Sequence, residues 1–109
     1  MRKKLHSYLG FAKRSGNLIA GYNTCVFAMK KGKLKLLVLA ADISENTLKK
    51  TIKEAERNRV PYRIYGEVSE ISQITGTESR GIFGITDENF GAIIAKEIDE
   101  ARSQEKEGL

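Results

Sequence analysis

The segment Gly21-Tyr22-Asn23-Thr24 combines residue types that can bind an anion or a base edge at the start of a helix. It lies between a short apolar segment and a helical pattern, and its glycine lets the backbone approach a ligand closely. The first amides of a helix have no intrahelical partner and favour negative charge. Asn23 has a second interpretation, because an asparagine at this place often caps the helix. The two roles are compatible if Asn23 or Thr24 caps and its neighbour contacts the ligand.

The other reactive side chains do not assemble into a catalytic or metal-binding set. The chain has one Cys and one His, too few for a zinc site, and it lacks the GxGxxG and P-loop motifs. Cys25 lies beside an apolar stripe and is expected in the core, and His6 is expected at the surface. The sequence therefore predicts no catalytic residue, no metal and no cofactor, and we expect that the protein is not an enzyme.

Charge is distributed unevenly along the chain. The first 41 residues carry nine Lys or Arg and no acid, whereas all 14 Asp and Glu follow, with the other ten basic residues. The two parts have formal charges of about +9 and −4. This asymmetry is typical of a protein with a polyanionic partner, but a solvated basic face that binds nothing has the same composition.

Helical and strand periodicities alternate along the chain, and these elements must position the candidate residues. The pattern predicts helices at about 5–15, 23–31, 44–58, 69–76 and 87–101, and strands at 18–20, 36–40, 63–65 and 82–85. The second helix is expected to bury Val26 and Phe27, and Asp42 or Ser44 is expected to cap the third. The predicted fold class is α/β, a three-layer α/β/α sandwich with a central four-stranded, mainly parallel or mixed sheet. Right-handed crossovers would make strands one and two parallel.

The predicted architecture directs attention to three turns. Ligands of such sheets bind outside the carboxyl ends of the strands, which here are followed by the turns 20–24, 40–45 and 85–89. The length fits one domain at 1–101, and the tail 102–109 is expected to fray because the apolar stripe stops. The longest nearly apolar run, 36–41, is far too short to span a membrane, and no secretory signal is evident. We therefore expect a cytoplasmic protein.

Several motifs together resemble the ribosomal L-seven-Ae superfamily. Gly21-Tyr22-Asn23 is followed, after eight residues, by GKLKLLVLAAD at 32–42, and Val60-Pro61-Tyr62 and the Gly76 turn also match that family's pattern. The segments LGFAKRSG at 9–16 and DISENTLKK at 42–50 look like its small bacterial YlxQ-type branch. The resemblance covers about residues 5–98.

The resemblance implies a non-enzymatic protein that recognises structured RNA, often a kink-turn with tandem sheared G·A pairs, in translation or transcription. The start of the second helix meets guanine edges in that family, and its Asn corresponds to Asn23. Thr24 stands where the family has Glu, and Phe27 where it has Lys, which removes a cation. The expected RNA-binding residues are Gly21, Tyr22, Asn23, Thr24, Lys30, Asp42, Ser44, Thr77, Glu78, Ser79, Arg80 and Lys4.

The expected partners are RNA and, further, a ribosome or a protein, with no membrane, and the chain is expected to be a monomer. The basic residues are expected in two patches, with Lys33 and Lys35 away from Gly21. The alternative function is a protein-interaction module of the same fold, which an exposed Phe27 would favour. An RNA methyltransferase's substrate-binding domain fits less well, because 109 residues leave no room for a cofactor domain. Binding of a small ligand is the least favoured function, because the sequence has no motif that holds a phosphate or a metal.

Overall fold

The computed structural model describes residues 2–76 and 81–107, and within them five helices alternate with four strands. In chain order the elements are α1 (Lys3–Arg14), β1 (Leu18–Ala20), α2 (Tyr22–Lys30), β2 (Leu36–Leu39), α3 (Glu45–Arg57), β3 (Tyr62–Ile64), α4 (Val68–Thr75), β4 (Ile82–Ile85) and α5 (Glu88–Glu107). Every helix and strand that the periodicity predicts is present. The predicted boundaries lie within two residues of the observed ones, except at the end of α5.

The C-terminal segment continues α5 beyond its apolar stripe. The segment 102–109, expected to fray, is helical as far as Glu107, and Gly108 and Leu109 lie outside the described residues. The Arg102 guanidinium donates a hydrogen bond to the carbonyl oxygen of Ile64 at the end of β3. The last turns of α5 are therefore tied to the sheet by a polar contact, which an apolar periodicity does not report.

The four strands form a mixed sheet in the order β1-β4-β2-β3. β4 runs antiparallel to both of its neighbours, and β2 pairs with β3 in parallel. β1 and β2 therefore run in the same direction, as predicted, but β4 lies between them. Since β4 runs the other way, the ends of β1, β2 and β3 share one edge of the sheet with the start of β4. We call this edge the carboxyl edge.

One of the three predicted turns does not lie at the carboxyl edge. Ile85, the last residue of β4, pairs with Leu18 and Leu36, the first residues of β1 and β2. The turn 85–89 consequently lies at the opposite edge, and its Asp87 carboxylate accepts the N–H of Phe90 at 2.8 Å, as a helix cap does. The prediction was wrong because the rule that places ligands after the strands holds for parallel strands, and β4 runs antiparallel to β1 and β2.

Helices cover both faces of the sheet, which confirms the three-layer α/β/α sandwich. Side chains alternate along a strand, so Val38 faces α1, α4 and α5, whereas Leu37 and Leu39 face α2 and α3. β2 and β4 are buried along their whole length, as expected for strands covered on both sides. The sheet thus separates the residues of α1 from those of α2.

Helix α2 is rotated from the orientation that its sequence predicts. It buries Cys25, Ala28 and Met29, whereas Val26 is half-buried and Phe27 is 65 % exposed. The predicted burial of Phe27 was therefore wrong. Five consecutive apolar residues, 25–29, surround most of this short helix, so their pattern does not select one face. The packing of the smaller side chains against the sheet and α3 decides the rotation.

Candidate functional site

Two backbone hydrogen bonds join the segments of the carboxyl edge. The Gly21 N–H donates to the carbonyl oxygen of Ile82 at 2.8 Å, and the Ala40 N–H donates to that of Gly81, also at 2.8 Å. The turn after β1, the turn after β2 and the residue that precedes β4 are thereby held next to one another. This edge brings together the predicted residues of the turns 20–24 and 40–45.

Gly81 closes the carboxyl edge in a position that only glycine fits. Its φ is +84°, and a Cβ built there would overlap the side chain of Ile43 and lie 2.8 Å from Val68. Glycine adopts this φ without strain, whereas other residues do not. The predicted loop residues Thr77, Glu78, Ser79 and Arg80 directly precede Gly81 in the chain and lie outside the described residues.

Helix α2 begins at the carboxyl edge without a side-chain cap. Gly21 is its N-cap, with a φ of 99°, and among the residues that the structure describes no side chain bonds to the first amides of the helix. The first intrahelical bond runs from the Cys25 N–H to the Gly21 carbonyl oxygen at 3.0 Å. The amides of residues 22–24 precede that bond, so they are oriented toward the edge as donors for an anion or a carbonyl.

Asn23 is exposed within the first turn of α2 rather than at its cap. The prediction that Asn23 or Thr24 caps α2 was wrong. The N-cap is Gly21, two residues before Asn23, and Thr24 is also exposed within the helix. The Asn23 amide can both donate and accept hydrogen bonds, as the pairing edges of bases do. Its side chain is thus presented to solvent, at the helix terminus where the backbone donors are also available.

Asp42 and Ser44 are already engaged in fixing the β2–α3 turn. The Ser44 hydroxyl accepts the Thr47 N–H at 3.2 Å and donates to the Thr47 hydroxyl at 2.8 Å, so Ser44 is the cap of α3. The Asp42 carboxylate accepts the N–H of Val68 at 2.9 Å, at the start of α4. Asp42 thus ties α4 to the carboxyl edge. Ser44 therefore has the capping role that the sequence offered to Asp42 or Ser44, whereas Asp42 bonds to α4 instead.

A cation that the sequence analysis missed lies beside the start of α2. The Lys50 ammonium is 4.2 Å from the centroid of the Tyr22 ring, an exposed cation–π contact. Lys50 belongs to α3, 28 positions after Tyr22 in the chain, and only the packing of α2 against α3 brings the two together. No spacing in the sequence could have indicated this pair.

Two predicted lysines lie away from the first turn of α2. Lys4 begins α1 near the carboxyl edge, but α1 packs on the opposite face of the sheet from α2. Lys30 is exposed at the last turn of α2, about 10 Å along the helix from Asn23. Lys33 and Lys35 follow α2 at the opposite edge, where the Lys35 N–H bonds to Ile85. The basic residues therefore form more than one patch, as predicted.

The remaining reactive residues lie away from the candidate site or inside the core. Cys25 is fully buried, and burial raises the pKa of its thiol to about 12, so it is protonated and unreactive at neutral pH. His6 is exposed on α1, as expected. The part of the chain that the structure describes contains no cluster of three potential metal-ligating His, Cys, Asp or Glu side chains. None of its helices combines the length and apolar character needed to cross a membrane.

Comparison with known proteins gives matches over most of the chain. The model of the ribosomal protein L7Ae/L30e/S12e/Gadd45 family matches residues 3–95. The RNA-binding protein YlxQ of Enterococcus faecium is 36 % identical over 90 residues, which cover 82 % of this chain and 85 % of that protein. The RNA-binding protein YlxQ of Bacillus subtilis (strain 168) is 26 % identical over 91 residues, covering 84 % and 91 %.

Solved structures share the fold. A protein of unknown function from Bacillus halodurans has a TM-score of 0.85 at 28 % identity and covers 90 % of this chain and 99 % of its own. A Giardia lamblia 15.5 kD RNA-binding protein has a TM-score of 0.69 at 15 % identity, with 94 % and 92 % covered. The order of elements and the mixed sheet thus recur in chains of very different sequence.

Proposed function

Because the chain belongs to the ribosomal protein L7Ae/L30e/S12e/Gadd45 family and to its bacterial YlxQ-type branch, we propose that it binds structured RNA at the carboxyl edge. The membership confirms the resemblance that the motifs show, and it confirms the prediction that the protein is not an enzyme. The relatives named YlxQ are RNA-binding proteins, and the match to them extends over four-fifths of this chain.

The observation that carries this proposal is the exposed, uncapped start of α2. There the Asn23 side chain is exposed, the amides of residues 22–24 precede the first intrahelical bond, and the Lys50 ammonium lies beside the Tyr22 ring. These groups match the two needs of RNA recognition, hydrogen bonds to base edges and positive charge for phosphates. The absence of acids from the first 41 residues adds a general attraction for a polyanion.

We assign the target as an RNA of the kink-turn type, in which sheared G·A pairs widen the groove. Asn23 contacts the base edges, and the backbone of Gly21 and Tyr22 supplies further donors. Asp42 and Ser44 hold the neighbouring turn in place through their hydrogen bonds. We expect residues 77–80 to contact a flipped base or the RNA backbone, and Thr24, Lys30 and Lys4 to contact the flanking strands.

The wider setting of the proposal follows from the same assignment. The chain acts in the cytoplasm as one monomeric domain, residues 1–101, in translation or transcription. Its RNA is ribosomal or belongs to another ribonucleoprotein, in which case the ribosome or a protein is a further partner.

The experiment that tests the proposal is a titration of two RNAs at about 50 and 200 mM salt. One RNA carries a kink-turn, and the other has its tandem G·A pairs replaced by Watson–Crick pairs. We expect at least a tenfold preference for the kink-turn, which corresponds to about 1.4 kcal/mol. Equal affinities would show that the protein binds phosphates without recognising the kink-turn. Absence of binding to either RNA would refute the proposal.

A second candidate function is favoured by the exposure of Phe27. Its ring is 65 % exposed on α2, and exposed aromatic side chains are enriched at the centres of protein interfaces. In this alternative the chain is a module that binds a protein or a second copy of itself. Sedimentation of the wild type and of Phe27→Ala at rising concentration tests self-association, because a module that binds a second copy of itself predicts a dimer that the substitution weakens.

A further inference from the structure

Phe27 lies on the same exposed stripe of α2 as Asn23. Asn23, Phe27 and Lys30 are spaced by four and three residues, which places them one above the other on a helix surface. All three are exposed, and Phe27 lies about 6 Å along the axis from Asn23. This distance is comparable to about two base steps of a helical strand, at about 3.4 Å each. A nucleotide close to the one that Asn23 contacts therefore reaches the Phe27 ring.

The surroundings of Phe27 are cationic. The Lys31 ammonium lies 5.4 Å from the centroid of its ring, and Lys30 is exposed on the next turn. Helix α2 contains no acidic residue, and none occurs in the chain before Asp42. An aromatic ring bordered by lysines, on a helix without acids, complements a base attached to phosphates, and surfaces that bind single strands combine these elements.

The isolation of Phe27 argues against a protein partner at this face. Within residues 2–76 and 81–104, the exposed large hydrophobic side chains are Phe11, Phe27 and Ile93, on three different helices. α1 and α5 cover the opposite face of the sheet from α2, so Phe11 and Ile93 cannot join Phe27 in one patch. A standard protein interface buries about 800 Å² on each partner, several times the area of one aromatic side chain. A single nucleobase needs no more than one ring.

We propose that Phe27 stacks against an unpaired nucleobase of the RNA bound at the carboxyl edge. Lys30 and Lys31 lie against the phosphates that flank this base. The inference rests on the proposed function and adds a specificity-determining contact to it. The family has a lysine at the position of Phe27, and a lysine has no aromatic ring on which a base could stack. The Lys31 ammonium is held by an exposed cation–π contact, which is weak, so it can turn toward a phosphate when a base covers the ring.

The test is a titration of a kink-turn RNA and of copies in which each unpaired nucleotide in turn is abasic. The proteins are the wild type, Phe27→Leu and Phe27→Trp, and Phe11→Leu is the matched control. Phe11 is also exposed, and the Arg14 guanidinium lies 5.1 Å from its ring centroid, but it lies on the opposite face of the sheet. Thermal unfolding checks that each variant is folded.

We expect Phe27→Leu to weaken binding about tenfold, with Phe27→Trp equal to the wild type and Phe11→Leu unchanged. One abasic copy should bind the wild type and Phe27→Leu equally, because the stacked base is already missing. The inference would be overturned if Phe27→Leu kept the affinity of the wild type or if Phe11→Leu lost as much affinity as Phe27→Leu. It would also be overturned if Phe27→Leu bound every abasic copy more weakly than the wild type does. If Asn23→Ala loses binding while Phe27→Leu does not, the inference fails alone; if the wild type binds no RNA, the proposed function fails too.

Discussion

Substitution of Asn23 by alanine should separate the two roles that this residue could have. The side chain makes no capping bond and is exposed within α2, so its removal breaks no hydrogen bond within the described part of the chain. Alanine is the better helix former by about 0.5 kcal/mol, so the folded state should become slightly more stable. A true cap would instead lose about 1 kcal/mol on replacement by alanine. The two roles thus predict changes of opposite sign.

Urea unfolding followed by circular dichroism measures this difference. With an m value of about 2 kcal/mol/M, the midpoint of Asn23→Ala should rise by about 0.2 M, whereas loss of a cap would lower it by about 0.5 M. Ser44→Ala is the matched control, because Ser44 does accept the Thr47 N–H, at 3.2 Å, and its midpoint should fall. Affinity for the preferred RNA should drop in Asn23→Ala by about 1–3 kcal/mol. A lowered midpoint, or an equal loss of affinity on every RNA, would refute the reasoning.

Three further predictions concern the packing at the site and the lysines at the opposite edge. Gly81→Ala should destabilise the fold by about 2–4 kcal/mol in thermal or urea unfolding, from its positive φ and from overlap with neighbouring side chains. Gly16→Ala, also at positive φ but with nothing within 4 Å of the added Cβ, should cost only about 1 kcal/mol; equal losses would contradict the packing argument. Asp42→Ala should lower the free energy of unfolding by about 1 kcal/mol, because the first amide of α4 loses its acceptor. The same unfolding curves measure this change, and an unchanged midpoint would show that the bond does not stabilise the fold. Combined Lys33→Ala and Lys35→Ala should weaken binding to every RNA alike and lower the salt slope, as titrations at several salt concentrations would show. Loss of affinity for one motif at an unchanged slope would instead place these two lysines in the specific site.

The element order was predictable because its signals are local. Apolar runs such as β2, with all four residues buried, indicate a strand covered on both faces. Val60-Pro61 ends the helical pattern of α3, because the residue before proline disfavours the helical region. Ser44 caps α3, one of the two residues that the sequence offered for that role. Each of these features depends on a few neighbouring residues, so a single sequence is enough to find it.

The direction of β4 could not be read from local pattern. A strand's periodicity is the same whether it runs parallel or antiparallel to its neighbours, and strand pairing depends on contacts far apart in the chain. β4 inserts between β1 and β2, and this placement moves the turn 85–89 to the opposite edge. It also brings Gly81, and not Asp87, to the candidate site.

The rotation of α2 and the contacts of its first turn also needed the fold. Apolar residues surround most of α2, so its own sequence left the exposed position of Phe27 undetermined. The sequence indicates Gly21 as a turn residue, but only the structure shows that it is the N-cap, from its φ of 99° and from the bond of the Cys25 N–H to its carbonyl oxygen, so Asn23 is not the cap. Lys50 reaches Tyr22 through the packing of α3 on α2. The sequence thus indicated Asn23 as a candidate residue, and the geometry around it came from tertiary contacts.

The claim that RNA binds at the carboxyl edge is tested most directly by an NMR titration of the ¹⁵N-labelled chain with the kink-turn RNA. If RNA binds at the carboxyl edge, the largest changes in amide chemical shift should occur at Tyr22, Asn23, Thr24 and Gly81. Gly32 and Thr86, at the opposite edge, should move little. If the largest shift changes occurred at the opposite edge and the amide shifts of residues 22–24 stayed unchanged, the claim that RNA binds at the carboxyl edge would be contradicted.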